Sequence, residues 1–265
     1  MTSVQKWIKY FAVGLAIFLI LQISSWFLMG IQLLTGSIYT DSEINFSEDY
    51  YSFDVIKIDS IASNLVIQEG NGFRVETKGV NENFSSVVKN DVLEIQEKKN
   101  IFFGSSDSEI IITVPNATEL QKILIDAGAG KVKIDGINAS DLDISQGAGI
   151  VEIENSTFAF TDISGGAGQM KIKNSVINNL ELDGGVGEIL VNAKIMNKVE
   201  IDCGIGEVNL DLLGFQEDYR LTVDKGVGSV FIAGEQMDSH TEFGNGTRQI
   251  VVDGGVGKVT VNFEN

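Results

Sequence analysis

The sequence predicts an all-β chain: a parallel β-helix-like β-solenoid of about seven 19-residue coils, preceded by an N-terminal transmembrane helix. Three observations predict it. A glycine-spaced phrase recurs seven times between Ile123 and Val261, apolar residues alternate on both sides of its glycines, and residues 10–34 carry no charge. A fixed period of this size marks stacked repeats, none of which can bury its own apolar face.

The copies are ILIDAGAGKVKI from Ile123, LDISQGAGIVEI from Leu142, TDISGGAGQMKI from Thr161, LELDGGVGEILV from Leu180, VEIDCGIGEVNL from Val199, LTVDKGVGSVFI from Leu221 and IVVDGGVGKVTV from Ile250. Their glycine pairs are Gly128 and Gly130, Gly147 and Gly149, Gly166 and Gly168, Gly185 and Gly187, Gly204 and Gly206, Gly226 and Gly228, Gly255 and Gly257. The second glycines step by 19 residues as far as Gly206, then by 22 and by 29. Period-two alternation, as in Ile123, Ile125 and then Val132, Ile134, reads as two short strands. The glycines give the corner between them its backbone freedom and switch the parity that faces inward. A second corner is expected at Gly136, Asn155, Asn174 and Ala193, followed by a third segment with Ala139, Phe158, Ile177 and Met196 in register.

Residues 10–34, as a helix, would span about 37 Å, enough for a bilayer core of about 30 Å. Lys6 and Lys9 precede it and the first acid afterwards is Asp41, so the tail is expected in the cytoplasm and the bulk outside. A cleaved signal peptide is the competing reading, but the apolar run is long for one and no small-x-small cleavage site follows. The chain then divides into a cytoplasmic tail (1–9), the transmembrane helix (10–34), a linker (35–50), a β-rich capping region (51–122) and the glycine-repeat solenoid (123–265).

In the capping region, Ile56 to Ile67 reads as a degenerate copy with Ile61 and Ser63 in place of the glycines. Phe73 to Thr77, Val92 to Ile95 and Glu109 to Val114 are further strand candidates, the last closed by Pro115. The 29-residue step implies a polar insertion, Ala233 to Gln249, expected as a loop on one side. Only Asn262 to Asn265 follow Val261, so the final coil is expected to present an open edge.

All 37 acidic residues lie beyond residue 40 whereas two of the 19 basic ones lie in the tail, so the external part is more acidic than the whole chain's −18. Such a surface repels nucleic acid and anionic lipid. The run IIITVPNATELQKILIDAGAGKVKI from Ile110, followed by copies of D-x-G-x-G-x-V-x-I, resembles the bacterial putative-adhesin β-strand-repeat family. That is a domain family of unknown function which includes LiaG-like proteins of the Gram-positive envelope. The resemblance covers about residues 50 to 265. It implies this fold, an N-terminal membrane anchor and an adhesin-like role, and brings no catalytic residues.

The residues themselves argue against catalysis. The single His240 lies in the insertion and the single Cys203 at a corner, so neither has the partners a nucleophile or zinc site needs. D-x-G-x-G lies between strands instead of opening a helix, which rejects a dinucleotide fingerprint. The corner acids Asp126, Asp183, Asp202, Asp224 and Asp253 alternate with Ser145 and Ser164, a substitution that fits turn hydrogen bonding better than calcium ligation. A second column, Asp143, Asp162, Glu181 and Glu200, places carboxylates about 5 Å apart on successive coils. Weak cation binding, calcium foremost, is weighed there against a solvated acidic face, with Lys133 and Lys171 expected to supply part of the compensation. No other cofactor is expected.

The leading functional expectation is a non-catalytic binding, adhesin-like or scaffolding module at the cell membrane. Its partners would be the membrane, through the N-terminal helix, and an envelope protein or wall polymer; the oligomeric state stays open. An accessory role in envelope-stress signalling is the second expectation. A carbohydrate-active enzyme is the third, and the sequence shows neither its aromatic platform nor its acid pair.

Overall fold

A strand with Ile or Val at every second position has one face to bury, and each coil here buries it by pairing in parallel with the next. The computed structural model describes residues 43–97 and 108–264. The expected tail and transmembrane helix lie outside the described residues, among which no helix is long and apolar enough to cross a membrane. Glu43 to Asn265 forms one compact unit.

The short strands come first: β1 (Glu43–Ile44), β2 (Ser47–Tyr50), β3 (Val55–Ser60), β4 (Asn64–Gly70), β5 (Phe73–Lys78), β6 (Val80–Asn81), β7 (Phe84–Lys89), β8 (Val92–Glu97) and β9 (Glu109–Pro115). Long bent strands follow: β10 (Glu119–Asp135), β11 (Asn138–Glu154) and β12 (Thr157–Leu213), the last passing through three coils. Then come β13 (Tyr219–Ile232), β14 (Glu235–Met237), β15 (His240–Gly244) and β16 (Arg248–Glu264).

Within each coil the parity of burial switches at the glycines. Ile123, Ile125 and Ala127 are buried before them, Val132 and Ile134 after them. The parallel ladder continues straight through, Gly130 pairing with Gly149 and Gly149 with Gly168. The corner is therefore a bend inside one strand, not a break between two. Gly149 shows why no other residue serves: its φ is +134°, and a Cβ there would overlap the carbonyl oxygen of Gly130 in the coil beneath.

The second corner has the expected left-handed residues at Gly136, Asn155 and Asn174, with φ of 72°, 53° and 49°. Ser156 and Ser175 are buried beside it and satisfied, each donating to the carbonyl two residues back, at 2.6 and 2.8 Å. Ala193 departs from the series. It does not take the left-handed conformation, and the chain reaches the third side one residue early; Ile195 takes the inner place and Met196 is exposed.

The ends of the rod do not follow chain order. β3 and β4 stack on β10 as the degenerate coil, Ile56 against Ile123 and Ile67 against Ile134. Its ladder lapses at Ile61 to Ser63, where the glycines are missing. Outside it lie β8 and β9, Leu93 against Ile56 and Ile112 against Ile67, so a later segment covers an earlier one. Antiparallel β7 and β5 edge that outer coil, and β2 extends β5. Part of the expected linker is thus structured: β2 pairs with β5, and Phe46 packs on Phe84 with ring centroids 5.4 Å apart.

At the other end, β16 is inserted between β12 and β13: Val199 pairs with Ile250, and Ile250 with Leu221. The 22-residue step is the crossing that leaves room for it. The crossing is fastened by Tyr219, whose hydroxyl donates to the Leu213 carbonyl at 2.9 Å, and by Arg248, which pairs with Asp218 at 3.2 Å and lies over the Tyr219 ring. The 29-residue step supplies β15 and β14, antiparallel to the two arms of β13. This corrects two expectations: the insertion is a cap and not a free loop, and the last coil in sequence lies inside the stack. Repeat equivalence is the reason, since Ile250 offers Val199 the same apolar surface that Leu221 would.

Candidate binding face

Three outward columns run along the arm that precedes the glycines. Lys122, Asp141 and Phe160 stand in register, as do Asp143 and Asp162, and Asp126, Ser145 and Ser164. A shallow groove of about 390 Å³ brings together all four members of the expected column, Asp143, Asp162, Glu181 and Glu200, with Phe160 and Asn179 beside them. One of the four has a cation: Lys198 Nζ lies 2.6 Å from Glu200 Oε1. Among the described residues Asp143, Asp162 and Glu181 make no ion pair. Loss of solvent, then the charges of Asp143 and Asp183, push the Asp162 carboxyl above its ordinary value.

Lys133 and Lys171 do not compensate this column from the neighbouring arm: Lys133 pairs with acids of its own arm, and Lys171 makes no ion pair among the described residues. There Lys133 Nζ lies 3.2 Å from Asp135 and 3.3 Å from Glu154, and Lys171 stands level with Glu152. That arm is a ladder of alternating charge. Lys131 reaches Glu152 at 2.5 Å, Lys173 reaches Glu152 and Glu154 at 3.6 and 3.4 Å, and Lys258 reaches Glu207 at 3.3 Å. The Lys131 ammonium holds the Glu152 carboxyl below its ordinary value, and hydrogen bonding from Asn155, then from Lys133, does the same for Asp135.

The corner acids also differ from expectation. Among the described residues Asp126, Asp183, Asp202 and Asp253 accept no backbone hydrogen bond, because the ladder already uses the N–H groups of the bend. Asp126, Asp183 and Asp202 line a second open groove, of about 620 Å³, together with Ser145, Ser164 and corner glycines. Asp224 holds the cap instead, 3.4 Å from Nδ1 of His240. No three His, Cys, Asp or Glu side chains converge to hold a metal among the described residues. The acidic column offers separate oxygens on a flat sheet rather than a coordination cage.

Sequence reasoning misses Phe160, which is 57% exposed in the groove. The signal is present: Phe160 directly precedes Thr161, and the alternation that buries Thr161 and Ile163 turns Phe160 outward with Asp162. It also misses a ridge of exposed β-branched residues between the glycines, Val186, Ile205, Val256 and Val227. Cys203 is buried.

A family profile described as Toastrack DUF4097 matches residues 53–250. No curated protein matches the chain. Among solved structures, a putative adhesin from Bacteroides fragilis aligns with a TM-score of 0.53 at 19% identity, over 83% of this chain and 98% of its own. A putative cell adhesion protein from Clostridium sporogenes aligns at 0.41 and 16% identity, over 84% and 100%. A putative adhesin from Parabacteroides merdae aligns at 0.41 and 14%, over 84% and 97%. The first of these shares the fold.

Proposed function

The chain belongs to the Toastrack DUF4097 family, and from that premise we propose that it is a non-catalytic, adhesin-like binding or scaffolding module of the bacterial cell envelope. Residues 10–34 anchor it in the cell membrane as a single span, residues 1–9 stay in the cytoplasm, and the solenoid projects outside. The observation that carries the reading is the acidic groove: Asp143, Asp162 and Glu181 make no ion pair among the described residues, around an exposed Phe160, with Lys122 and Lys198 also in its lining. Such a face recognises by fixed spacing and charge, with no mobile lid or nucleophile required. Its partners are a wall polymer or an envelope protein carrying positive charge. The putative adhesin from Bacteroides fragilis that shares the fold is in keeping with this role.

The test compares the full chain with a triple variant, Asp143→Asn, Asp162→Asn and Glu181→Gln, for retention on isolated cell wall and membrane fractions. Neutral side chains of the same shape remove repulsion, so folding is preserved. The expected result is a loss of retention of about tenfold, matched in the native chain by raised salt. Equal retention of both chains would move recognition off this face. Proximity labelling from a tag after Asn265, against an anchor-only control, then separates partners: labelling of one or a few membrane proteins favours the signalling-accessory role.

A further inference from the structure

The inner column just before the glycines is filled by small or neutral groups, among them Ala127, Gln146 and Gly165, but in the three C-terminal levels it reads Cys203, Gly254, Lys225. A lysine at a core position breaks the apolar pattern of the rod. Lys225 is 4% exposed, and its side chain makes no hydrogen bond or ion pair among the described residues. Burying an unpaired ammonium is costly, and a partner is normally present.

The end of the side chain lies at the level of Gly254, one coil from Cys203. A Cβ built on Gly254 would stand 2.8 Å from its Cδ and 3.2 Å from its Nζ. With successive levels about 4.8 Å apart, this leaves the amine about one level from Cys203, a gap that a turn of its flexible chain closes. Burial, and then the charge of the partner, act on both groups: burial pushes the Cys203 thiol up, and it pulls the Lys225 ammonium down towards the neutral amine. Cys203 is 3% exposed and borders a cavity of about 20 Å³, lined also by Gly184 and Gly185. A cavity above about 15 Å³ holds one water-sized molecule, and a peroxide is little larger.

We propose that Cys203 and Lys225 form a covalent modification site, joined by a sulfur–nitrogen bond when a peroxide oxidises the thiol. In the first step hydrogen peroxide transfers one oxygen to sulfur, giving the sulfenic acid and one water. In the second Lys225, having given up its ammonium proton, attacks sulfur with the amine lone pair; the S–N bond forms, the S–O bond breaks, and hydroxide leaves with an amine proton as a second water. Sulfur is oxidised by two electrons and the peroxide is reduced by two, so no further reagent is needed. Sulfenic acids condense with nitrogen in this way. The product ties β12 to β13 across the inserted β16 and so staples the C-terminal end of the rod.

The full chain is treated with hydrogen peroxide, digested and analysed by mass spectrometry, with sulfoxide formation at an exposed methionine as the mark that oxidant was delivered. The expected product is a peptide pair joined through Cys203 and Lys225, about 2 Da lighter than the two peptides together and separated again by a thiol reductant. The thermal midpoint rises by several degrees in the native chain and not in Cys203→Ala, a change that the Ala and Gly residues of the same column show to be accommodated. In Lys225→Met, which keeps the length and removes the amine, Cys203 proceeds to sulfinic acid. A native chain in which Cys203 stays a thiol, or becomes sulfinic acid while Lys225 remains free, overturns the proposal.

Discussion

The two arms on either side of the glycines share coil spacing, strand pairing and core, yet carry charge in opposite ways. After the glycines, Lys131, Lys133, Lys173 and Lys258 alternate with Glu152, Asp135, Glu154 and Glu207 in contacts of 2.5 to 3.6 Å. Before them, Asp143, Asp162 and Glu181 follow one another with no cation between. Parallel stacking imposes like positions about 4.8 Å apart and says nothing about sign. The fold therefore tolerates either pattern, and the acidic one is a surface property carried at a small cost in stability.

The largest effect comes from removing the bend that both arms share. Gly187 has φ +150° and its missing Cβ would overlap the Gly168 carbonyl, so Gly187→Val should cost more than about 3 kcal/mol, read as a fall in the urea midpoint at unchanged slope. Next is an attempt to make the paired arm resemble the acidic one. Lys133→Glu removes two ion pairs and adds a carboxylate beside Asp135 and Glu154, for a loss of about 1 kcal/mol that shrinks in high salt. The reverse change is smaller: Asp162→Asn relieves repulsion on an exposed sheet and should raise stability by a few tenths of a kcal/mol.

Acid titration sharpens the contrast, because the arms respond with opposite sign. Asp162 has a folded value above its unfolded one, so between the two the folded state holds more proton and stability falls as pH rises. Glu152 and Asp135 have folded values below their unfolded ones. Their contribution is complete above the unfolded values and is lost as pH falls through the folded values. Asp162→Asn should remove the first slope and Glu152→Gln part of the second, each seen in stability measured from pH 7 to 2. Smallest is the response to divalent cations: with no cage of converging carboxylates, calcium and magnesium at equal concentration should shift the thermal midpoint alike. A shift confined to calcium would show a specific site on the acidic column.

What was legible in the sequence is whatever one coil decides alone. Alternation placed Ile123, Ile125, Val132 and Ile134 inside, and the glycine spacing located the bend, because burial parity and a positive φ leave local marks. What one coil does not decide was missed. Ile250 and Leu221 are interchangeable as neighbours of Val199, so spatial order at the end could not be read from similarity. Lys133 and Lys171 lie on the neighbouring arm, as their place after the glycines implies, but face the acids of that arm, and Met196 is exposed because Ala193 does not take the left-handed turn of Asn155 and Asn174. In the candidate face, the acidic column follows from counting by 19; the exposure of Phe160 needs the alternation of Thr161 and Ile163 carried back one residue.

The insertion of β16 makes the order of synthesis matter. The seventeen residues of β16, which follow β13 and the cap in sequence, lie in the interior of the stack and form the platform for β13 and, through it, for the cap. Until β16 is in place, β13 lacks the neighbour it has in the finished stack and can only take the place of β16 against β12, in the register that Leu221 shares with Ile250. The strand that seals this end of the stack is thus made after the strand it supports.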